Sequence, residues 1–148
     1  MSSENYNIHH GTHYSVFQIQ DMADLSSCTF THKSIPATAS GKLFLSQILN
    51  CTGSIISLNL LAPHTSMPFF HRHVNNEEVY LFIKGNGQFL IDEETIPIKE
   101  GTALRISPNG ARSWRNQSNE ILYYIVIQGP LNSFPLGQTI EDGRIVTQ

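Results

Sequence analysis

The chain has 148 residues and a net charge of −3; 40% of the residues are hydrophobic and 14% are charged. This length fits one domain with a sizeable core, and the composition argues against disorder. Lysine and arginine are scattered, whereas a nucleic-acid surface needs a concentrated basic patch. The longest apolar run, Ile121 to Ile127, is too short to span a bilayer, and the polar start shows no signal peptide. We therefore expect a cytoplasmic protein with no nucleic-acid partner and no membrane partner.

Residues 1–40 are predicted to be an N-terminal extension with partly extended strands. They are rich in Ser, Thr, Asn and His and show little periodicity. Extended segments are expected near Tyr14–Ile19 and Cys28–Lys33, and Ser40-Gly41 marks a break. The run Leu43–Leu49 is too short for periodicity to separate a helical turn from a strand.

From Gly53 onward the pattern is typical of β-structure. Short apolar or alternating runs are separated by turns that contain glycine, proline and asparagine, and no run shows a convincing helical period. Such a series of short strands predicts a sandwich or barrel. The predicted strands are Ser54–Leu61, Pro68–His73, Val79–Ile83, Gln88–Asp92, Thr95–Ile98, Thr102–Ser107, Ala111–Asn116 and Ile121–Gln128.

A pattern typical of a metal site begins within the second predicted strand and ends just before the third. His71 and His73 are one residue apart, so a strand would place both imidazoles on one face, where they could chelate a divalent ion. A bend after His73 would bring Glu78 to the same side. Glu78, Tyr80 and Phe82 would then share a face and line a partly apolar cavity. Spacing alone favours a metal no more than it favours solvated surface histidines.

The wider pattern resembles the cupin family. His71-Arg72-His73, then four residues, Glu78, six residues and Gly85 are similar to the first cupin motif, and this spacing selects Glu78 over Glu77. Gly101, Pro108-Asn109-Gly110 and Asn116 resemble part of the second motif.

The resemblance covers about Gly53 to Gln128. It implies an all-β fold, a single-domain cupin jelly-roll β-barrel of the small bacterial type. The barrel would span residues 41–130, with the N-terminal extension before it. A C-terminal tail, residues 131–148, would pack on the barrel.

The resemblance also implies that His71, His73 and Glu78 hold one divalent metal ion, which could be Fe, Mn, Ni or Zn. The family usually supplies a third histidine from the second motif, but Ser113 stands at that position and no histidine follows His73. A serine hydroxyl is a poor ligand and would hold a water at an open position, as in a catalytic metal site. Equally, the loss of an imidazole could mean weak or absent metal binding.

Further residues are candidates for contact with a substrate. Tyr80 would be a catalytic proton donor if it lies at the cavity. Arg115 would point inward beside Ser113 and bind a carboxylate or phosphate, whereas Arg112 would face the other way. The alternative is that one or both arginines lie on the surface. The substrate-binding candidates are Phe82, Gln88, Ser113 and Arg115.

The outer face of one strand predicts an assembly. Val79, Leu81 and Ile83 oppose the cavity face and are nevertheless apolar, so something must cover them. Residues 1–40 could do so, or a second subunit; the resemblance favours a homodimer.

The leading hypothesis is a small metal-binding cupin that acts on a small organic molecule, as a metal-dependent oxidoreductase or isomerase. The dioxygenase, isomerase and epimerase classes all remain open. The alternative is a non-catalytic cupin that binds a small molecule or sugar and has lost full metal coordination, which the missing histidine favours. A purely structural metal site is a third option.

Overall fold

The structure is a computed structural model that describes residues 6–146. These residues form short β-strands, one turn of α-helix and one 3-10 helix. In chain order the elements are β1 (Tyr6–His10), β2 (Ser15–Ile19), the 3-10 helix (Met22–Ser27), β3 (Thr29–Phe30), β4 (Ala39–Ser40), β5 (Lys42–Phe44), α1 (Leu45–Ile48), β6 (Ile55–Leu61), β7 (Thr65–Ser66), β8 (Asn76–Lys84), β9 (Asn86–Ile91), β10 (Glu94–Lys99), β11 (Ala103–Ile106), β12 (Arg112–Asn116) and β13 (Leu122–Pro130).

Two antiparallel sheets make up the body of the protein. One has five strands in the order β11-β8-β13-β6-β5, and the other has four in the order β10-β9-β12-β7. The all-β prediction is confirmed, but the sheets are not closed into a continuous hydrogen-bonded barrel. At Gly85 the chain leaves β8 in one sheet and enters β9 in the other. Gly85 has a φ of +86°, and a Cβ there would lie 2.4 Å from the carbonyl oxygen of Ile121.

Aromatic side chains from both sheets form the core between them. The Phe89 and Trp114 rings stack at 5.7 Å, and Tyr80 meets Trp114 edge-on at 5.2 Å. Trp114 Nε1 donates a hydrogen bond of 2.9 Å to the hydroxyl of Tyr124. This arrangement buries apolar area while it satisfies the polar atoms of Trp114 and Tyr124.

The 3-10 helix covers part of the outer face of the five-stranded sheet. Its Leu25 is fully buried against Leu60, and Leu43 and Leu58 pack around them. The 3-10 helix does not reach β8. Leu81 and Ile83 therefore remain 39% and 41% exposed.

Several local predictions differ from the structure. The segment Pro68–His73 is not a strand: it is irregular and makes one isolated bridge, from His71 to Arg112, because Pro68 has no N–H to continue a ladder. The run Leu43–Leu49 contains both expected forms, the end of β5 and the α1 turn. Residues 131–146 are exposed throughout, although the backbone N–H of Leu131 donates a 3.1 Å hydrogen bond to the carbonyl of Asn75, and the packing of the tail on the barrel stays a prediction. Within the described residues, no helix is long and apolar enough to cross a membrane.

Candidate metal site and its cavity

A cavity of about 550 Å³ opens onto the inner face of the five-stranded sheet. This size is typical of a pocket for a small organic molecule. His71, His73 and Glu78 line it together with Tyr80 and Trp114.

The two histidines and the glutamate reach this cavity from different parts of the chain. Glu78 and Tyr80 belong to the inward face of β8, on which they are 5% and 1% exposed. His71 is held beside β12, because its backbone exchanges two hydrogen bonds with that of Arg112. The carbonyl of His73 accepts a 2.7 Å hydrogen bond from the backbone N–H of Asn109. The expected bend after His73 is therefore present, and it brings Glu78 to the side of both imidazoles.

The candidate ligand atoms of these three residues all lie within 4.8 Å of one another. Nε2 of His73 is 3.0 Å from Oε1 of Glu78, and Nε2 of His71 is 4.0 Å from Oε2 of the same carboxylate. The two imidazole centroids are 5.7 Å apart. Donors around a zinc-sized ion are typically about 3–4 Å apart, since each lies about 2 Å from the ion. A small inward movement of His71 would complete such a set.

Glu78 is held as a carboxylate by several donors. Its Oε2 accepts a 2.6 Å hydrogen bond from the Tyr80 hydroxyl and an ion-paired hydrogen bond from Nη2 of Arg112. Burial acts to raise the pKa of Glu78, but hydrogen bonds from His73 and Tyr80 and the charge of Arg112 outweigh it and lower this pKa to about 2. Oε2 is held by Tyr80 and Arg112, whereas within residues 6–146 Oε1 contacts only Nε2 of His73, so Oε1 is the oxygen that a metal would bind in place of that hydrogen bond.

His71 has the protonation that a metal ligand requires. Burial, and next the charge of Arg112, lower the pKa of His71 to about 4, so its ring is neutral at pH 7. Nδ1 of His71 is a buried atom with no hydrogen-bond partner among the described residues. Gln128 Nε2 lies 3.2 Å from Nδ1 of His73 and can donate to it, which leaves Nε2 of His73 directed at Glu78. The site therefore fits a divalent ion: two imidazoles and a carboxylate converge, and one buried imidazole nitrogen is unsatisfied.

The four residues expected to bind a substrate do not line this cavity, as far as the described chain shows. Phe82 is inward but 1% exposed, in the core between the sheets. Arg115 donates a 2.7 Å hydrogen bond to Gln88, its partner on the adjacent strand β9. Ser113 alternates with Trp114 and so lies on the face of β12 that points away from the site. The expected register of the second motif is corrected by one residue, and Arg112, which was expected to face away, is the inward arginine.

Three polar residues of the site were missed in the sequence: Arg112, Gln128 and Lys42. A signal existed for the first, because Trp114 is large and apolar and shares a face with Arg112. Gln128 continues the alternation of the buried residues Tyr124 and Val126. Lys42 had no signal, because its place depends on the pairing of β5 with β6.

Fold and site together define an all-β protein whose candidate centre has two histidines and one carboxylate. A model of the cupin domain matches residues 58–128. A crystal structure of a cupin protein from Bacteroides fragilis is 30% identical; the match covers 80% of this chain and 99% of that chain, with a TM-score of 0.67. The chain therefore belongs to the cupin family.

Two further matches cover less of the molecule. A predicted oxalate decarboxylase from Thermotoga maritima is 25% identical over 52% of this chain and 66% of that chain, with a TM-score of 0.50. An uncharacterised protein of Methanocaldococcus jannaschii is 29% identical over 59 residues, which are 40% of this chain. The aligned part spans 47% of that curated relative, so the match covers about half of its length.

Proposed function

We propose that this cupin binds one divalent metal ion through His71, His73 and Glu78 and acts on a small organic molecule in the adjoining cavity. The observation that carries the proposal is the convergence of the three ligand atoms, all within 4.8 Å, at a cavity of about 550 Å³. Two histidines and one carboxylate with open positions are the donor set of non-haem Fe(II) oxygenases, so Fe(II) is the first metal to test.

A bound ion would supply Lewis acidity, or it would activate a water or dioxygen. The protein's own groups hold and orient the reacting partners. Burial, and next the charge of Glu78, raise the pKa of Tyr80 well above 10, so its hydroxyl keeps its proton at pH 7. Since this proton is donated to Glu78, Tyr80 positions the carboxylate. A role for Tyr80 as proton donor to a substrate would require that hydrogen bond to break.

The reaction type depends on the substrate, and the fold alone does not identify the substrate. The Thermotoga maritima match is described as a predicted decarboxylase of oxalate, a small organic acid. Small organic acids are therefore the first substrate class to test, for oxidation and decarboxylation and then for isomerisation.

The alternative function is a non-catalytic module that binds a small molecule or a sugar. Arg112 favours it, because a guanidinium already neutralises the only carboxylate of the candidate metal site and opposes a second cation there. In this account the protein retains the pocket but has lost the full set of metal ligands.

One assay separates the two functions. Metal-free protein is loaded in turn with Fe(II), Mn(II), Ni(II) and Zn(II). Oxygen uptake and product formation are then followed with a panel of small organic acids and sugar phosphates. The proposal expects turnover with at least one metal, lost in His73→Ala and kept in the control His64→Ala, whose exposed ring is bonded to Asn119. Ligand binding without turnover in every loaded form would contradict the enzyme and support the binding module.

We also propose that a second copy of the chain covers the outer face of the five-stranded sheet. In the strand register Leu81 lies between Ala103 and Ile125, and Ile125 lies beside Leu58, so an apolar row crosses the sheet. The 3-10 helix covers only the Leu58 end of this row. Light scattering should give the mass of a dimer, and a monomer at micromolar concentration would contradict this proposal. A cytoplasmic location stays a prediction.

A further inference from the structure

Lys42 lies at the cavity on a different strand from the candidate metal ligands. It belongs to β5, where it pairs with Asn59 of β6, and its side chain reaches the inner face of the five-stranded sheet. Nζ donates hydrogen bonds of 3.0 Å to Oγ of Ser57 and 3.0 Å to Oδ1 of Asn59. It also lies 4.8 Å from the centroid of the Phe44 ring.

The charge of Lys42 has no close counter-ion. All three of these contacts are with neutral groups, and among residues 6–146 no carboxylate lies within 4 Å of Nζ. An ammonium has three N–H donors, and two of them are used. A half-buried cation with an unused donor is costly unless something with negative charge approaches it.

The neighbouring groups fix the position of this ammonium. Nδ2 of Asn59 donates to the backbone carbonyl of Ser57 at 3.0 Å and to that of Tyr124 at 3.3 Å, which orients Oδ1 toward Lys42. Asn59 is 2% exposed and Ser57 is also 2% exposed. The lysine is therefore held by a rigid, buried polar cluster.

The charges of the residues that line the cavity also favour a negatively charged group beside Lys42. Two of its lining residues are cations, Lys42 and Arg72, and one is a carboxylate, Glu78. Glu78 is already paired with Arg112. The lining therefore has excess positive charge before any metal binds, and a metal would add to it.

We propose that Lys42 binds an anionic group, a carboxylate or a phosphate, of a small organic ligand whose other end faces His71, His73 and Glu78. The inference deepens the proposed function, on which it rests, by naming the substrate class of the same cavity. Apolar residues that line the same cavity, among them Phe44, Met67 and Val126, would contact an uncharged body of the ligand. Burial lowers the pKa of Lys42 to about 8 and the charge of Glu78 partly opposes this, so the ammonium still predominates at pH 7.

The test uses metal-free protein at pH 7 and a matched pair of probes, butyrate and its neutral isostere butyramide. Trp114 is the only tryptophan and lines the cavity, so its fluorescence reports binding, with calorimetry as a second readout. We expect wild type to bind butyrate at least about tenfold more tightly than butyramide, as a hydrogen bond to a charged group allows. Equal binding of the two probes, or no binding of butyrate, would overturn the proposal without any variant.

Two variants should remove the preference by different routes. Lys42→Met removes the cation, and Asn59→Asp gives it a carboxylate partner inside the protein. Lys84→Met, which removes an exposed lysine at the end of β8, should leave the preference unchanged. A preference that persists in both Lys42→Met and Asn59→Asp would overturn the assignment.

A third probe, propylphosphonate, distinguishes the anion. If propylphosphonate binds more tightly than butyrate, the natural ligand is assigned a phosphate group; if it binds more weakly, the ligand is assigned a carboxylate. Both outcomes agree with the proposal. Because no metal is present, failure of the metal site would leave these results unaffected. Conversely, the absence of anion selectivity would say nothing about metal binding, which is tested separately.

Discussion

Replacement of Arg112 by Met gives the sharpest prediction on the architecture of the site. Arg112 is 1% exposed and Glu78 is 5% exposed, and the guanidinium is ion-paired with the carboxylate. Removal of one partner leaves the other charge buried without compensation, which typically costs about 3–5 kcal/mol of unfolding free energy. Met is shorter than Arg but has a similar volume, so most of the loss should be electrostatic.

A second arginine provides the matched control. Arg105 donates from Nε to Glu77 at 2.6 Å on the outer face, and the two side chains are 53% and 32% exposed. An exposed pair of this kind contributes about 0–1 kcal/mol. Urea unfolding of metal-free wild type, Arg112→Met and Arg105→Met, followed by Trp114 fluorescence, compares the two pairs directly. Equal losses in the two variants would refute the electrostatic account of the buried pair.

The same variant should bind metal more tightly than wild type. Removal of a guanidinium a few ångströms from a divalent ion relieves a repulsion on the order of 5 kcal/mol at an effective dielectric constant near 20, so the affinity should rise by at least about tenfold. Added metal should therefore restore more stability to Arg112→Met than to wild type. Weaker metal binding by Arg112→Met would show that the guanidinium organises the ligands and does not oppose the ion.

Two further predictions concern acid stability and the corner between the sheets. The unfolding free energy of the metal-free protein should fall by about 2–3 kcal/mol as the pH drops from 6.5 toward 4. The pKa of His71 is about 4 in the folded state and 6.5 in the unfolded state, so in this pH range the unfolded chain binds a proton that the folded protein does not. Denaturant titrations across this range measure the slope, and a His71→Gln variant with the full wild-type slope would contradict the assignment. Gly85→Ala should cost about 2–4 kcal/mol, since it combines a positive φ with a Cβ contact of 2.4 Å to a backbone oxygen. Gly53→Ala, where a Cβ meets nothing within 4 Å, should change stability little, and similar thermal shifts in the two variants would count against the strain at Gly85.

The β8 side of the site was predictable because it depends on local alternation. Once Glu78 is inward, Tyr80 and Phe82 must be inward and Leu81 outward, and the burial pattern agrees. Glu77, one residue earlier, is correspondingly paired with Arg105 on the outer face. The spacing to Gly85 selected the glutamate that faces inward, because this glycine marks where the chain changes sheet.

The β12 side was less predictable because alternation shows which residues share a face but not which face points inward. The resemblance to the second cupin motif placed Ser113 at the site, and this register is one residue out. The buried Trp114 decides the question, because its indole must lie between the sheets, and Arg112 lies two residues before it. The place of Lys42 depends on a strand pairing across 17 residues, and no local pattern specifies such a register.

Elemental analysis tests the central claim most directly. Protein purified without a histidine tag is measured for metal content per chain as wild type, His71→Ala and His73→Ala. His64→Ala is the control for loss of an exposed histidine. The account predicts close to one divalent ion per chain in wild type and His64→Ala, and a large loss in both ligand variants. Metal well below one per chain in wild type, unchanged in His71→Ala and His73→Ala, would contradict it.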